Sequence, residues 1–134
     1  MDDRTQIGLA ALLLRVALGV MFLAHGLTKW LVFTPAGTVE FFASLGYPAI
    51  LAYAVMVFEV AAGVLLLLGV WTRWVSAIAV LQLFGAATVH FSAGWGFGNE
   101  GGGWEYPIFM VVTAAALAFL GGGQFALTGV KKSQ

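Results

Sequence analysis

Four stretches of this chain, residues 7–33, 49–71, 74–95 and 104–125, run long and apolar with few charges. A helix rises ~1.5 Å per residue, so each stretch holds the ~20 residues needed to cross a ~30 Å hydrocarbon core. Four such runs use up nearly all of the 134 residues. The expectation is therefore a single membrane domain over 1–134, an all-α integral membrane four-helix bundle. Only 9% of the residues are charged, against about 25% in an average soluble domain. The first run could be mistaken for a secretory signal, but it is too long, Arg15 interrupts it and no small-residue cleavage pattern follows. It is read as retained.

Two function classes fall away at once. There is no cysteine, so thiol redox chemistry, persulfide carriage and thiolate metal sites lie outside this chain's means. The six basic residues are balanced by six acidic ones and form no long run, which argues against nucleic-acid binding.

Proline and glycine punctuate the chain where four spans require it. Pro35 and Gly37 are expected to close the first span, and Pro48 and Pro107 stand where the first turn of a helix tolerates proline. The connection from Thr34 to Tyr47 carries Phe41 and Phe42 and suits a short interfacial segment; "GVWTRWV" reads as a tight turn. Arg4, Arg73, Lys131 and Lys132 fall on one side, whereas Lys29 faces Glu40, Glu100 and Glu105 on the other. By the positive-inside rule both termini are cytoplasmic, an N-in/C-in topology. Trp30, Trp71, Trp74, Trp95 and Trp104 all fall near expected span ends, where amphipathic rings anchor.

Ionisable groups within spans are expensive and mark functional sites by default. Arg15, His25, Lys29, Glu59, His90 and Glu105 are such groups, with Gln82 as a neutral companion. On the first helix Arg15, Gly19, Phe22, Gly26 and Lys29 recur at steps of three and four and share one face, flanked by His25. Its glycines would let another helix approach closely, and Glu59 shares a face with Gly63 in the same way. Counted from the expected span ends, Arg15 and Glu59 differ in depth by roughly 6 Å, which predicts an Arg15–Glu59 pair, acting as a structural lock or a proton relay. His25, Lys29, His90 and Glu105 would meet in the outer half. For Lys29, snorkelling to the interface competes with a role in a site. For the two histidines, helix packing competes with binding of a substrate or quinone, and axial haem ligation is the least favoured role. No metal site is expected. The glycine-rich "GWGFGNEGGGW" lacks the strand and the Lys-Ser/Thr of a phosphate loop, and reads as an outer loop whose Trp and Phe cap the cavity beneath.

Taken together, "LLRVALGVMFLAHGLTKW", "FEVAAGVLLLLGVWTRW", "VHFSAGWGF" and "GGGWEYPIFM" make the chain resemble the DoxX family of small four-helix bacterial membrane proteins, from Leu13 to Gly129. The resemblance places the family's recurrent polar residues on Arg15, His25, Lys29, Glu59, Arg73, His90 and Glu105. Gln124 stands where the family often has a basic residue. It implies redox association: relatives serve as a subunit of a thiosulfate:quinone oxidoreductase, or as a membrane partner of superoxide dismutase and a sulfurtransferase in an oxidative-stress complex. Without cysteine here, any sulfur chemistry would reside in a partner or in the substrate.

The expectation is thus a multi-pass protein of the bacterial inner membrane, in contact with the lipid bilayer. It would be a subunit of a membrane oxidoreductase complex that holds a quinone or small oxidised substrate among His25, Lys29, His90 and Glu105. No covalent cofactor motif is present; a bound quinone is the cofactor implied, and soluble oxidoreductases or further copies of the chain are the partners. The rival readings are a scaffold or assembly factor for soluble oxidoreductases and a small-solute transporter. The first needs a docking surface of ~800 Å² that the short termini hardly offer.

Overall fold

The computed structural model describes residues 1–129, and all regular structure among them is helical. Helix α1 spans Asp3–Leu31, α2 Thr34–Ser44, α3 Ala49–Leu68, α4 Thr72–Val89 and α5 Glu105–Leu120, with a 3-10 turn at Phe91–Ala93. Helices α1, α3 and α4 are long and apolar enough to cross a membrane. Their outward faces carry large exposed apolar side chains such as Leu13, Ile50, Trp74 and Leu81. In water such a surface would be a severe liability, and in lipid it is the expected contact face. This is a membrane protein.

Each boundary has a local cause. α1 begins earlier than expected because Asp2 caps it, its Oδ1 accepting from the Thr5 amide at 2.8 Å. Hydrogen bonding by the Thr5 side chain and amide holds the Asp2 carboxyl below its ordinary 3.8. The cap is therefore complete above that value and is lost only as pH falls through the depressed one. Pro35 does more than close the first span. It sits in the opening turn of α2, so the expected interfacial connection is itself a helix. α3 ends at Gly69, which takes the left-handed φ of +70° and turns the chain toward α4 within three residues. α5 has 16 residues, shorter than the expected 104–125, because Gly121 at φ +84° stops it.

The helices pack as two close pairs, α1 with α3 and α4 with α5, around a core that includes Leu18, Phe22, Leu66, Met110 and Leu117. Glycine sets the α1–α3 seam, as the shared faces in the sequence imply. A Cβ on Gly63 would lie 2.7 Å from the Leu23 amide, and one on Gly26 would lie 2.9 Å from the Val60 amide. α3 and α4, although joined by a short turn, meet only sparsely along their length. That leaves a cleft between them, which α2 flanks.

The chain after α5 folds back across the end of the bundle where α3 turns into α4, hereafter the turn end. Gln124 N donates to Gly8 O at 3.0 Å, Thr128 N to Gly69 O at 3.1 Å, and Thr128 Oγ1 accepts from Trp71 N at 2.7 Å. Lys131 and Lys132, which entered the orientation reading, lie outside the described residues.

Candidate functional site

The expected Arg15–Glu59 pair does not form. α1 and α3 are antiparallel, with Gly26 facing Val60, Leu23 facing Gly63 and Gly19 facing Leu67. Glu59 therefore stands near Gly26, roughly 16 Å along the axis from the level of Arg15. The depth count failed because it took the ends of the two helices as level, whereas α1 overhangs the end of α3. Arg15, 1% exposed, instead donates to the carbonyls of Leu67 at 3.5 Å and Gln124 at 3.1 Å. It thus serves the open C-terminal carbonyls of α3, where a cation also complements the helix dipole.

Glu59 takes Lys29 as its partner. Nζ lies 2.7 Å from Oε2, and Gln82 Nε2 donates to Oε1 at 3.1 Å. Both carboxylate oxygens are thereby bonded, the condition under which a buried ion pair is tolerable. Gly26 makes the pair possible by letting α3 approach; Lys29 then emerges one turn above the contact. The Lys29 backbone carbonyl also accepts from the buried Thr38 Oγ1 at 3.3 Å, so α2 docks on the same residue.

Two cavities meet at this trio. The larger, about 510 Å³, lies in the α3–α4 cleft with Phe41, Phe42 and Tyr47 from the α2 region over it and Leu51, Val55 and Leu81 along its sides. The smaller, about 270 Å³, lies between α1, α4 and α5 beneath the Gly94–Trp104 loop, lined by Phe22, His25, Phe97, Tyr106 and Met110. Lys29, Glu59, Gln82, Ala86 and His90 line both. Gln82 Oε1 is buried and accepts no hydrogen bond among the described residues. An orphaned acceptor costs about 1–3 kcal/mol, a cost that a turn of the Gln82 amide toward a donor in either cavity would relieve.

Of the four residues expected to line one outer pocket, the structure brings together Lys29, His90 and His25, the last in the smaller cavity alone. Glu105 lines neither. Helical spacing explains this: Tyr106, Met110, Ala114 and Leu117 form the inward stripe of α5, and Glu105 lies one residue, about 100°, off it. Tyr106, not singled out from the sequence, takes that place, its ring 6.1 Å from His25 and 5.8 Å from Phe97. The spacing of that stripe was a signal that could have found it. Phe97 caps the smaller cavity as expected of the loop, while Trp95 and Trp104 pack edge to face on each other at 4.7 Å.

Both histidines are oriented by backbone. His25 Nδ1 lies 2.7 Å from Met21 O and His90 Nδ1 lies 3.0 Å from Gly101 O. A carbonyl can only accept, so Nδ1 carries the proton in each ring and Nε2 remains for a ligand or a proton.

The DoxX profile matches residues 10–95, almost all of the segment that builds α1 to α4 and the trio. The chain belongs to the DoxX family. It is 37% identical over 128 residues to the Bacillus subtilis protein named "Putative oxidoreductase CatD", covering 95% of this chain and 89% of that one. It is 34% identical over 80 residues to "Inner membrane protein YphA" of Escherichia coli, covering 58% and 56%. No solved structure matches it.

Proposed function

We propose that this DoxX-family protein is a four-span protein of the bacterial inner membrane, with both termini inside, that serves a membrane oxidoreductase complex by holding a quinone in the larger cavity. Arg4, Arg73 and the returning segment at Gly121–Gly129 gather at the turn end, and Glu40, Glu100 and Glu105 belong to the loop end, an asymmetry that supports a cytoplasmic turn end. α5 rises ~24 Å, short of a ~30 Å core, a mismatch that local thinning of the bilayer accommodates. The name of CatD as an oxidoreductase points the same way.

One observation carries the reading: a charged and hydrogen-bonding trio stands at the wall of a cavity that is otherwise apolar and lies in a cleft between membrane helices. Such a site suits an amphipathic molecule with a polar head and an oily tail. The residues fit a quinone in both its states. Lys29 Nζ would donate to a carbonyl oxygen and stabilise negative charge on it, and the Gln82 amide, turned toward the cavity, would accept from a hydroxyl. Leu51, Val55 and Leu81 lie where a tail would run. A bound quinone supplies the capacity to carry two electrons and two protons; the chain supplies the hydrogen bonds, with Glu59 and His90 as proton acceptors.

The test is an absorption spectrum together with organic extraction and mass spectrometry of the protein purified in mild detergent. Native protein is expected to retain quinone, or to bind added quinone saturably, and a Gln82→Ala/His90→Ala variant to lose it. A native protein that neither retains nor binds quinone overturns the reading.

A further inference from the structure

The trio is a partition with two differently built sides, of which the smaller cavity is the more polar. Beyond it, the smaller cavity carries His25 and Tyr106 as well as the shared Lys29, Glu59 and His90, so every packed element around Glu59 except α2 presents it a titratable group. α2 contributes only Phe41 and Phe42 to the Glu59-lined cavities, on the other side. The cover of the smaller cavity is also unlike lipid-facing helix. It is loop backbone at Gly102 and Gly103 with the exposed Phe97, held to α4 by the His90–Gly101 hydrogen bond. Water is stable in such a place, since it is roomy and offers several polar partners per molecule.

We propose that the smaller cavity is an aqueous port opening at the loop end, through which Glu59 exchanges protons with the water on that side. The ion pair then works between two media, presenting Lys29 and Gln82 to a lipid-side ligand and Glu59 to water beyond the loop. The larger cavity has no comparable polar path of its own, because apart from the shared residues and the Tyr47 hydroxyl its lining is apolar. The route runs from Glu59 past His90 and His25, whose rings are held by backbone carbonyls at Nδ1 so that Nε2 is the atom left to exchange a proton. The port deepens the quinone reading by naming the side on which its protons would be exchanged, yet access to Glu59 can be measured with no quinone present.

The absence of cysteine makes the test direct, because each introduced thiol is unique. In reconstituted vesicles, Glu100→Cys in the exposed loop reports which side the loop faces. Met110→Cys and Val55→Cys probe the smaller and larger cavities, and Ala86→Cys lines both and scarcely disturbs packing if Met110→Cys folds poorly. A charged, membrane-impermeant methanethiosulfonate added on the loop side is expected to label Met110→Cys or Ala86→Cys within about a hundredfold of the Glu100→Cys rate. Val55→Cys should react only with an uncharged, permeant reagent. Once an acid jump on the loop side has protonated Glu59, its carboxyl infrared band, assigned by its loss in Glu59→Gln, should exchange with deuterium supplied on that side. Capping the port thiol with a bulky reagent should slow that exchange at least tenfold. Thiols in the smaller cavity that ignore the charged reagent, or Glu59 exchange unaffected by the cap, overturn the port. Quinone extraction would stand or fall separately.

Discussion

Two cations are carried into the bundle on one face of α1, Arg15 and Lys29, and the protein treats them in opposite ways. Arg15 is wrapped at the turn end by carbonyls of two segments far apart in the chain, and among the described residues no carboxylate is bonded to it. Lys29 meets a carboxylate, keeps about 20% of its side chain exposed and stands between two cavities. A charge bonded to fixed backbone is committed to holding chain segments together. A charge bonded to an ionisable partner beside open volume can be re-partnered by a ligand or a proton. The same residue class on the same helix face is thus tied to fixed backbone at one end and to an ionisable partner at the other.

The largest effect expected from this contrast is at Arg15. Arg15→Met removes two charge-assisted bonds and exposes the carbonyl ends of α3 and the returning segment, for a loss of about 2–4 kcal/mol in detergent unfolding. Quinone binding by the folded fraction should be unchanged. A stable Arg15→Met protein that has lost its ligand would invert the assignment of the two ends. Next comes the seam that sets the register of both cations. Gly63→Ala forces a methyl against the Leu23 backbone 2.7 Å away, and neither helix can yield locally. The expected cost is about 2 kcal/mol, read in the same unfolding experiment.

The sequence made much of this legible because membrane helices advertise themselves. The apolar runs, the glycine face of α1 and the tryptophans at helix ends are local patterns that lipid enforces directly. Helix α2 was hidden, because Pro35 ends one helix and begins another and the residue type alone does not say which. The pairing of Glu59 was hidden for a different reason. It depends on the relative sliding of α1 and α3, which Gly19, Gly26 and Gly63 fix together, and no single run of sequence contains that register. Glu105 and Tyr106 show how narrow the margin is: one residue along α5 exchanges a lining side chain for one that faces elsewhere.

A smaller stability effect and a larger functional one are expected at Lys29. Lys29→Met leaves Glu59 with Gln82 alone, beside open volume that water can enter, which limits the loss to about 1–2 kcal/mol. The double variant Lys29→Met/Glu59→Gln should recover most of that stability while ligand retention stays lost. If the double variant is instead as unstable as Arg15→Met, the pair is a lock like the other one, and the distinction between the two ends fails.

The smallest expected change in stability comes where the two ends can be separated without touching a charge. Gly85 lies on α4 facing the larger cavity, and a Cβ there would meet no atom within 4 Å. Replacing a helical glycine removes a propensity cost of about 1 kcal/mol, so Gly85→Leu should fold at least as well as the parent. Its side chain would occupy the volume assigned to the quinone. Loss of bound quinone with unfolding unchanged, and with loop-side labelling of Met110→Cys unchanged, would place ligand and port in different cavities of the same protein. Quinone retained beside Leu at position 85 would mean that it binds elsewhere, and the trio would then have to be explained by what enters from the loop end alone.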